Sequence, residues 1–115
     1  MQQSTKWCNE YLAYLQSNHN RAFPQFNGPQ LSAIGAALTR KLTMIHGPPG
    51  TGKTLIAAAT AFGFVHCCRN MSGHNKVLAT AFSNVGADNL MEKMLPMGLK
   101  VLRLGKASAV SKDLW

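Results

Sequence analysis

A chain of 115 residues forms one domain at most, and its apolar content of 46% is that of a globular protein rather than a disordered tail. Twelve Lys and Arg against four Asp and Glu give a formal charge of +8, a balance that points to a polyanionic partner, RNA or DNA first. Loss of the acidic surface of a larger protein would leave the same balance. No apolar run is long enough to span a bilayer, and Met1 to Glu10 is polar, without an apolar stretch behind a basic start. The expected setting is intracellular, cytoplasmic or nuclear, with no membrane contact.

In chain order, Ser4 to Gln16 patterns as a helix with Trp7, Tyr11, Leu12, Tyr14 and Leu15 mostly on one face, a stripe assigned to core packing. Phe23 to Asn27 reads as a loop, broken by Pro24 and closed by Gly28-Pro29. A second helix is expected over Pro29 to Thr39, with Pro29 in its first turn and Leu31, Ile34 and Leu38 inward. Arg40-Lys41 ends it with positive charge, where the helix dipole favours cations. Leu42 to His46 is a short, largely apolar run that predicts a strand. Lys53 to Arg69 predicts a helix, with Gly63 as a point of close packing.

Asn70 to Asn75 is a polar loop, and Lys76 to Ala81 has the short continuous apolar character of a buried parallel strand. A turn through Phe82-Ser83-Asn84 leads to a helix over about Gly86 to Leu95, stopped by Pro96 and Gly98. Gly86 weakens the start of that helix. Leu99 to Leu104 predicts a third strand, and Gly105 to Trp115 is weakly patterned. Cys8, Cys67 and Cys68 are odd in number, and the adjacent pair fits no metal spacing. They read as reduced, buried or partly buried thiols.

Between the first strand and its helix lies Gly47-Pro48-Pro49-Gly50-Thr51-Gly52-Lys53-Thr54, which fits G-x-x-x-x-G-K-[ST], the phosphate-binding loop of nucleoside triphosphatases. Glycines let the backbone turn so that successive N–H groups point inward at phosphate. Pro48 and Pro49 stiffen the loop. The helix that follows adds the positive end of its dipole. Lys53 is placed to reach the β- and γ-phosphates and the Thr54 hydroxyl to ligate Mg²⁺, making these two the candidate catalytic residues. An ordinary Gly/Pro turn is the competing reading, but strand, loop and helix fall in the order that phosphate binding requires. The alternation of strands and helices makes the fold class α/β, a parallel sheet flanked by helices. Ligands bind beyond the carboxyl ends of strands in such sheets, where this loop sits.

Three blocks in order carry a family resemblance: Phe26-Asn27-Gly28-Pro29-Gln30; Met44 through Thr54; and Thr80-Ala81-Phe82-Ser83-Asn84-Val85-Gly86-Ala87-Asp88-Asn89-Leu90 followed by Gly98 through Gly105. This resembles the first RecA-like domain of superfamily 1 helicases of the up-frameshift type, over about Phe26 to Gly105. The patterned helix and the loop after it make 1–25 an amino-terminal helix and linker, and the resemblance implies over 26–115 a partial RecA-like P-loop ATPase domain that stops before the Walker B motif. It implies that Gln30 reads adenine, that Lys53 and Thr54 contact phosphate and Mg²⁺, and that Ser83 and Asn84 grip single-stranded RNA or DNA. Without the phosphate loop at the right distance, Gln30 reads better as a solvated first-turn residue, and Ser83 and Asn84 as turn formers.

The family usually has Ala-Pro-Ser-Asn-x-Ala-Val-Asp where this chain has Ala81-Phe82-Ser83-Asn84-Val85-Gly86-Ala87-Asp88. Hydrolysis also needs an acidic pair at the end of a further strand. Asp113 follows no apolar strand, and Asp88 belongs to the nucleic-acid motif. The expectation is therefore the ATP–Mg²⁺-binding part of an RNA or DNA helicase, inactive as a motor by itself. The alternative is a non-catalytic ATP- or nucleic-acid-binding module or remnant.

Overall fold

The structure is a computed structural model that describes residues 2–17, 23–47, 52–68 and 75–105. Four helices are present among these residues: α1 (Gln2–Ser17), α2 (Gly28–Thr39), α3 (Lys53–Phe62) and α4 (Asn84–Met94). In α1, Trp7, Cys8, Tyr11 and Leu15 recur at helical spacing and all are buried. Leu12 packs beside them. Tyr14 stands at the margin of this stripe, 41% exposed, its ring edge-on to Phe23 at 6.0 Å.

Helix α2 begins where Asn27 and Gln30 cap each other. The Asn27 side chain accepts from the Gln30 N–H at 2.9 Å, and Gln30 Oε1 accepts from the Asn27 N–H at 2.9 Å. This reciprocal arrangement satisfies two otherwise orphaned donors. Pro29 sits in the first turn as expected, because its missing N–H is not needed there. Ile34 and Leu38 point into the core, and Leu31 packs against it half-buried.

Helix α3 presents Ile56, Ala58, Ala59 and Ala61 to the interior. The alanines bring its backbone close enough for the Tyr11 hydroxyl to donate to the Ala59 carbonyl at 2.6 Å. At Gly63 the helix widens into a π turn over Gly63–Cys67. A Cβ on Gly63 would lie 2.8 Å from Tyr11 Cε2 and 3.1 Å from Leu38 Cδ2, so the close-packing role expected of this glycine is the one it has. Phe62 stacks on Tyr11 at 6.0 Å and meets Phe23 edge-on at 4.9 Å. One aromatic cluster thus joins α1, the start of the 23–27 loop and the end of α3. Asn75 closes the wide turn by donating from Nδ2 to the Phe64 and Cys68 carbonyls, at 2.8 and 2.9 Å.

Helix α4 packs on α3 and buries Met91 and Met94; the 3₁₀ turn Leu95–Met97 follows and buries Met97. Gly98, at φ 89°, takes the left-handed conformation that ends the element. The expected stop at Pro96 and Gly98 is therefore met, while the helix starts at Asn84 rather than Gly86.

The expected strands are where the structure departs from the sequence reading. Residues 42–46, 76–81 and 99–104 carry no strand pairing among the described residues, so the parallel sheet of the α/β reading is absent from them. The physical reason lies in their cover. A buried parallel strand needs a neighbour in the ladder and packing on both faces, yet Leu42 is 81% exposed, Met44 90%, Leu78 84% and Leu102 82%. Residues 76–81 are exposed throughout, Thr43 alone of 42–46 is half-buried, and the third segment is covered on one side only. At the third segment this is visible as a period of two, with Leu99 buried and Val101 and Arg103 half-buried, while Lys100, Leu102 and Leu104 face out.

The three cysteines are thiols. Cys8 is 2% exposed, and burial pushes its thiol pKa above the ordinary cysteine value. Cys67 and Cys68 are half-buried. Iodoacetamide under native conditions is expected to alkylate Cys67 and Cys68 well before Cys8. Peptide mass spectrometry reads the order, and equal rates would mean that α1 does not stay docked.

Candidate functional site

The phosphate-loop motif is described at its two ends, Gly47 and Gly52-Lys53-Thr54, while Pro48, Pro49, Gly50 and Thr51 lie outside the described residues. Gly52 precedes α3 with φ 81° and ψ 26°, a left-handed conformation open to glycine and strained for other residues. Lys53 is the first residue of α3, and its Nζ donates to the Gly47 carbonyl at 2.6 Å. One lysine therefore joins the two ends of the loop. Helix α3 has neither an acidic residue in its first turn nor a side-chain cap. Among the described residues no side chain therefore caps or opposes the positive end of its dipole. Thr54 follows, half-buried, in that first turn.

Gln30 arrives at the same place from α2. An added Cβ on Gly52 would lie 2.8 Å from Gln30 Nε2. The fold thus sets the residue expected to read adenine directly against the end of the phosphate loop, although the two are 22 positions apart (52 − 30). Gln30 is held by the Asn27 cap at Oε1 and lies over Gly52 through Nε2. Asn27, placed by the sequence in a loop and in the first family block, is thus also a helix cap, and its signal is Asn-x-x-Gln before an apolar run, the pattern of a capping box.

Gly52→Ala combines a left-handed φ with that contact and is expected to destabilise the fold by about 1–2 kcal/mol. Urea denaturation monitored by circular dichroism measures it. A neutral result would show that Gln30 and the loop are not pressed together in solution.

Ser83 and Asn84 form a second locus at the start of α4. Ser83 is the N-cap, its Oγ accepting from the Gly86 N–H at 3.0 Å. A Cβ on Gly86 would come within 3.1 Å of Ser83 Oγ and 3.3 Å of the Ala81 Cβ. Gly86, expected to loosen this helix start, instead leaves room for its cap. Asn84 is exposed, and its Oδ1 accepts from Arg103 Nη2 at 3.4 Å. Arg103 also pairs with Asp88, Nε to Oδ1 at 3.2 Å, with both side chains about six-sevenths buried (13% and 15% exposed). Phe82, which stands where the family pattern has proline, is fully exposed beside this cap.

The Arg103–Asp88 pair was not anticipated, since the residues are 15 positions apart. The signal available was the period of two from Leu99 through Val101, which puts Arg103 on the covered face. Among the described residues no group of three or more His, Cys, Asp or Glu is placed to hold a metal ion. No helix among them is long and apolar enough to cross a membrane.

Comparison with known proteins now bears on these loci. A family model described as an AAA domain matches residues 25–114. The regulator of nonsense transcripts 1 of Dictyostelium discoideum is 43% identical over 86 residues, covering 75% of this chain and 6% of its own length. The ATP-dependent helicase upf1 of Schizosaccharomyces pombe is 40% identical over 86 residues, 74% of this chain and 9% of its own. An uncharacterised ATP-dependent helicase of Methanocaldococcus jannaschii is 42% identical over 87 residues, 74% of this chain and 12% of its own. The chain thus spans about an eighth or less of the length of these relatives. No solved structure matches it. With the fold implied by the family being that of a P-loop NTPase, the chain belongs to the AAA-domain family, within the up-frameshift type of superfamily 1 helicases.

Proposed function

We propose that the chain is the ATP-binding part of an RNA or DNA helicase, taking ATP–Mg²⁺ at Gly47 to Thr54 and single-stranded nucleic acid at Ser83 and Asn84. The observation that carries the nucleotide half is Lys53. It stands at the head of α3 after a left-handed glycine, with its ammonium drawn back onto Gly47 across the loop. The donor set fits a triphosphate: an exposed ammonium, a threonine hydroxyl in the first turn, and a helix start free of acidic side chains. Lys53 would exchange the Gly47 carbonyl for phosphate oxygens, Thr54 would hold Mg²⁺, and the Gln30 amide would meet the adenine edge. The charge of +8 supports the nucleic-acid half, and so do relatives that are named ATP-dependent helicases.

The finer fold belongs to the same proposal. Residues 42–46, 76–81 and 99–104 would run as strands of one parallel sheet, flanked by helices in the RecA-like manner. The inward turn of Leu99, Val101 and Arg103 supports this. Within the chain, 1–25 would act as a helix and linker ahead of the partial ATPase domain of 26–115, although α1 already shares the core of α2 and α3. A cytoplasmic or nuclear setting would follow from a role in nucleic-acid processing.

Binding without turnover by the isolated chain is the second reading, favoured by one observation. Asp88 is committed to Arg103 and so does not serve as a metal-holding acid. Titration of the 115-residue chain with a fluorescent ATP analogue in Mg²⁺, alongside a phosphate-release assay, tests both. Saturable binding supports the nucleotide site, and phosphate release would replace the second reading with a competent ATPase. Absence of binding at micromolar protein would remove the proposal.

A further inference from the structure

We propose that Arg103 is the positioning residue of the nucleic-acid locus, fixing the Asn84 amide so that it presents a donor to a phosphate or sugar oxygen. The inference rests on the reading of Ser83 and Asn84 as nucleic-acid contacts.

An asparagine amide has an accepting and a donating end, and nothing in its own chemistry decides which one faces a ligand. Arg103 decides it here, because a guanidinium only donates. Its Nη2 meets Asn84 at 3.4 Å, a contact that only Oδ1 can accept. With Oδ1 turned to Arg103, the Nδ2 donor is the end that exposed Asn84 offers outward. Phosphate and sugar oxygens are acceptors, so this orientation suits a nucleic-acid strand and the flipped one does not.

The guanidinium is itself fixed. Nε bonds Asp88 at 3.2 Å, and Nη1 bonds the Leu104 carbonyl. The fork also lies against the backbone of Gly105, where a Cβ would stand 3.1 Å from Nη1 at a φ of +152°. Asp88, one turn into α4, would repel phosphate if left bare; paired with Arg103 it contributes no net charge there. The acidic residue of the motif therefore recruits the arginine, and the arginine aims the amide. A lysine would keep the charge but not the planar fork that reaches Asp88 and Asn84 together.

The test measures binding of short fluorescein-labelled oligouridine RNA and oligothymidine DNA by anisotropy, across a salt series, for the 115-residue chain and its variants. Arg103→Ala (made together with Asp88→Asn, so that no bare carboxylate is left), Asn84→Ala and the double variant of the two are each expected to weaken binding of the preferred strand roughly tenfold, the value of about one lost hydrogen bond. The double variant should be no weaker than Asn84→Ala alone. Arg103→Lys is expected to keep the melting temperature but not recover the affinity. The slope of log affinity against log salt should stay as in the unaltered chain.

Additive losses in the double variant, recovered affinity in Arg103→Lys, or a slope reduced by about 0.7 would overturn the positioning role. All three leave the reading of Ser83 and Asn84 standing. The last would mean that Arg103 holds phosphate directly. Absence of binding by the unaltered chain, or Ser83→Ala and Asn84→Ala that bind both strands as it does, would overturn the reading itself and the proposal with it.

Discussion

Lys53→Ala is expected to weaken ATP binding about 100-fold, near 2.8 kcal/mol, and to leave the fold almost unchanged. The size follows from what the ammonium does. It is the cationic side chain at the head of α3, and charge-assisted hydrogen bonds to phosphate are roughly twice as strong as neutral ones. Its present partner, the Gly47 carbonyl at 2.6 Å, is neutral, so the exchange for phosphate favours the bound state. Lys53 is exposed, and loss of a surface side chain away from the core changes stability by about 0.5 kcal/mol or less. Titration with a fluorescent ATP analogue, paired with a thermal melt, separates the two effects. Unaltered affinity would place the nucleotide elsewhere, while a collapsed melt would give the Lys53–Gly47 bond a structural role.

The largest stability effect is expected at Ile34→Ala, a loss of about 2–5 kcal/mol. Ile34 is fully buried in the middle of α2, the helix that packs against both α1 and α3. Truncation there opens a cavity between three helices whose spacing is held by the Tyr11–Ala59 bond and the tight approach at Gly63, so the site relaxes poorly. A domain of this length has about 5–15 kcal/mol in total, so the variant should melt roughly 8–20 °C lower. Ile34→Val removes one methylene and should lose only about 0.5–1.5 kcal/mol. The pair, followed by differential scanning calorimetry, tests whether the α1–α2–α3 core is the stable unit of the chain. Equal melting temperatures would mean that it is not. Because α2 also carries Gln30 toward Gly52, Ile34→Ala should weaken ATP binding indirectly, and Ile34→Val should not.

The phosphate loop was legible because its requirements are local. Glycine before the helix, lysine at its first position and threonine next are needed within a few bonds of each other, so the order of residues carries the geometry. The helices were legible for a similar reason: Pro29 at a start, Gly98 at a stop and the spacing of Trp7, Tyr11 and Leu15 act within a turn or two. Strand character was read from short apolar runs, and a run of apolar residues does not supply a ladder. Leu42, Met44 and Leu78 are suited to burial, but a strand exists only when another strand pairs with it, and that partner is a long-range matter.

Sequence by itself determined the family, the helices and which residues are candidates for binding phosphate, since each depends on short-range spacing. Tertiary structure alone decided that Gln30 lies over Gly52, that Tyr11 bonds Ala59, and that Arg103 takes Asp88 and Asn84 together. Those contacts join residues 15 to 48 positions apart. Their partners are chosen by how the helices pack, and helix packing depends on the shape of the whole core rather than on any one stretch of chain.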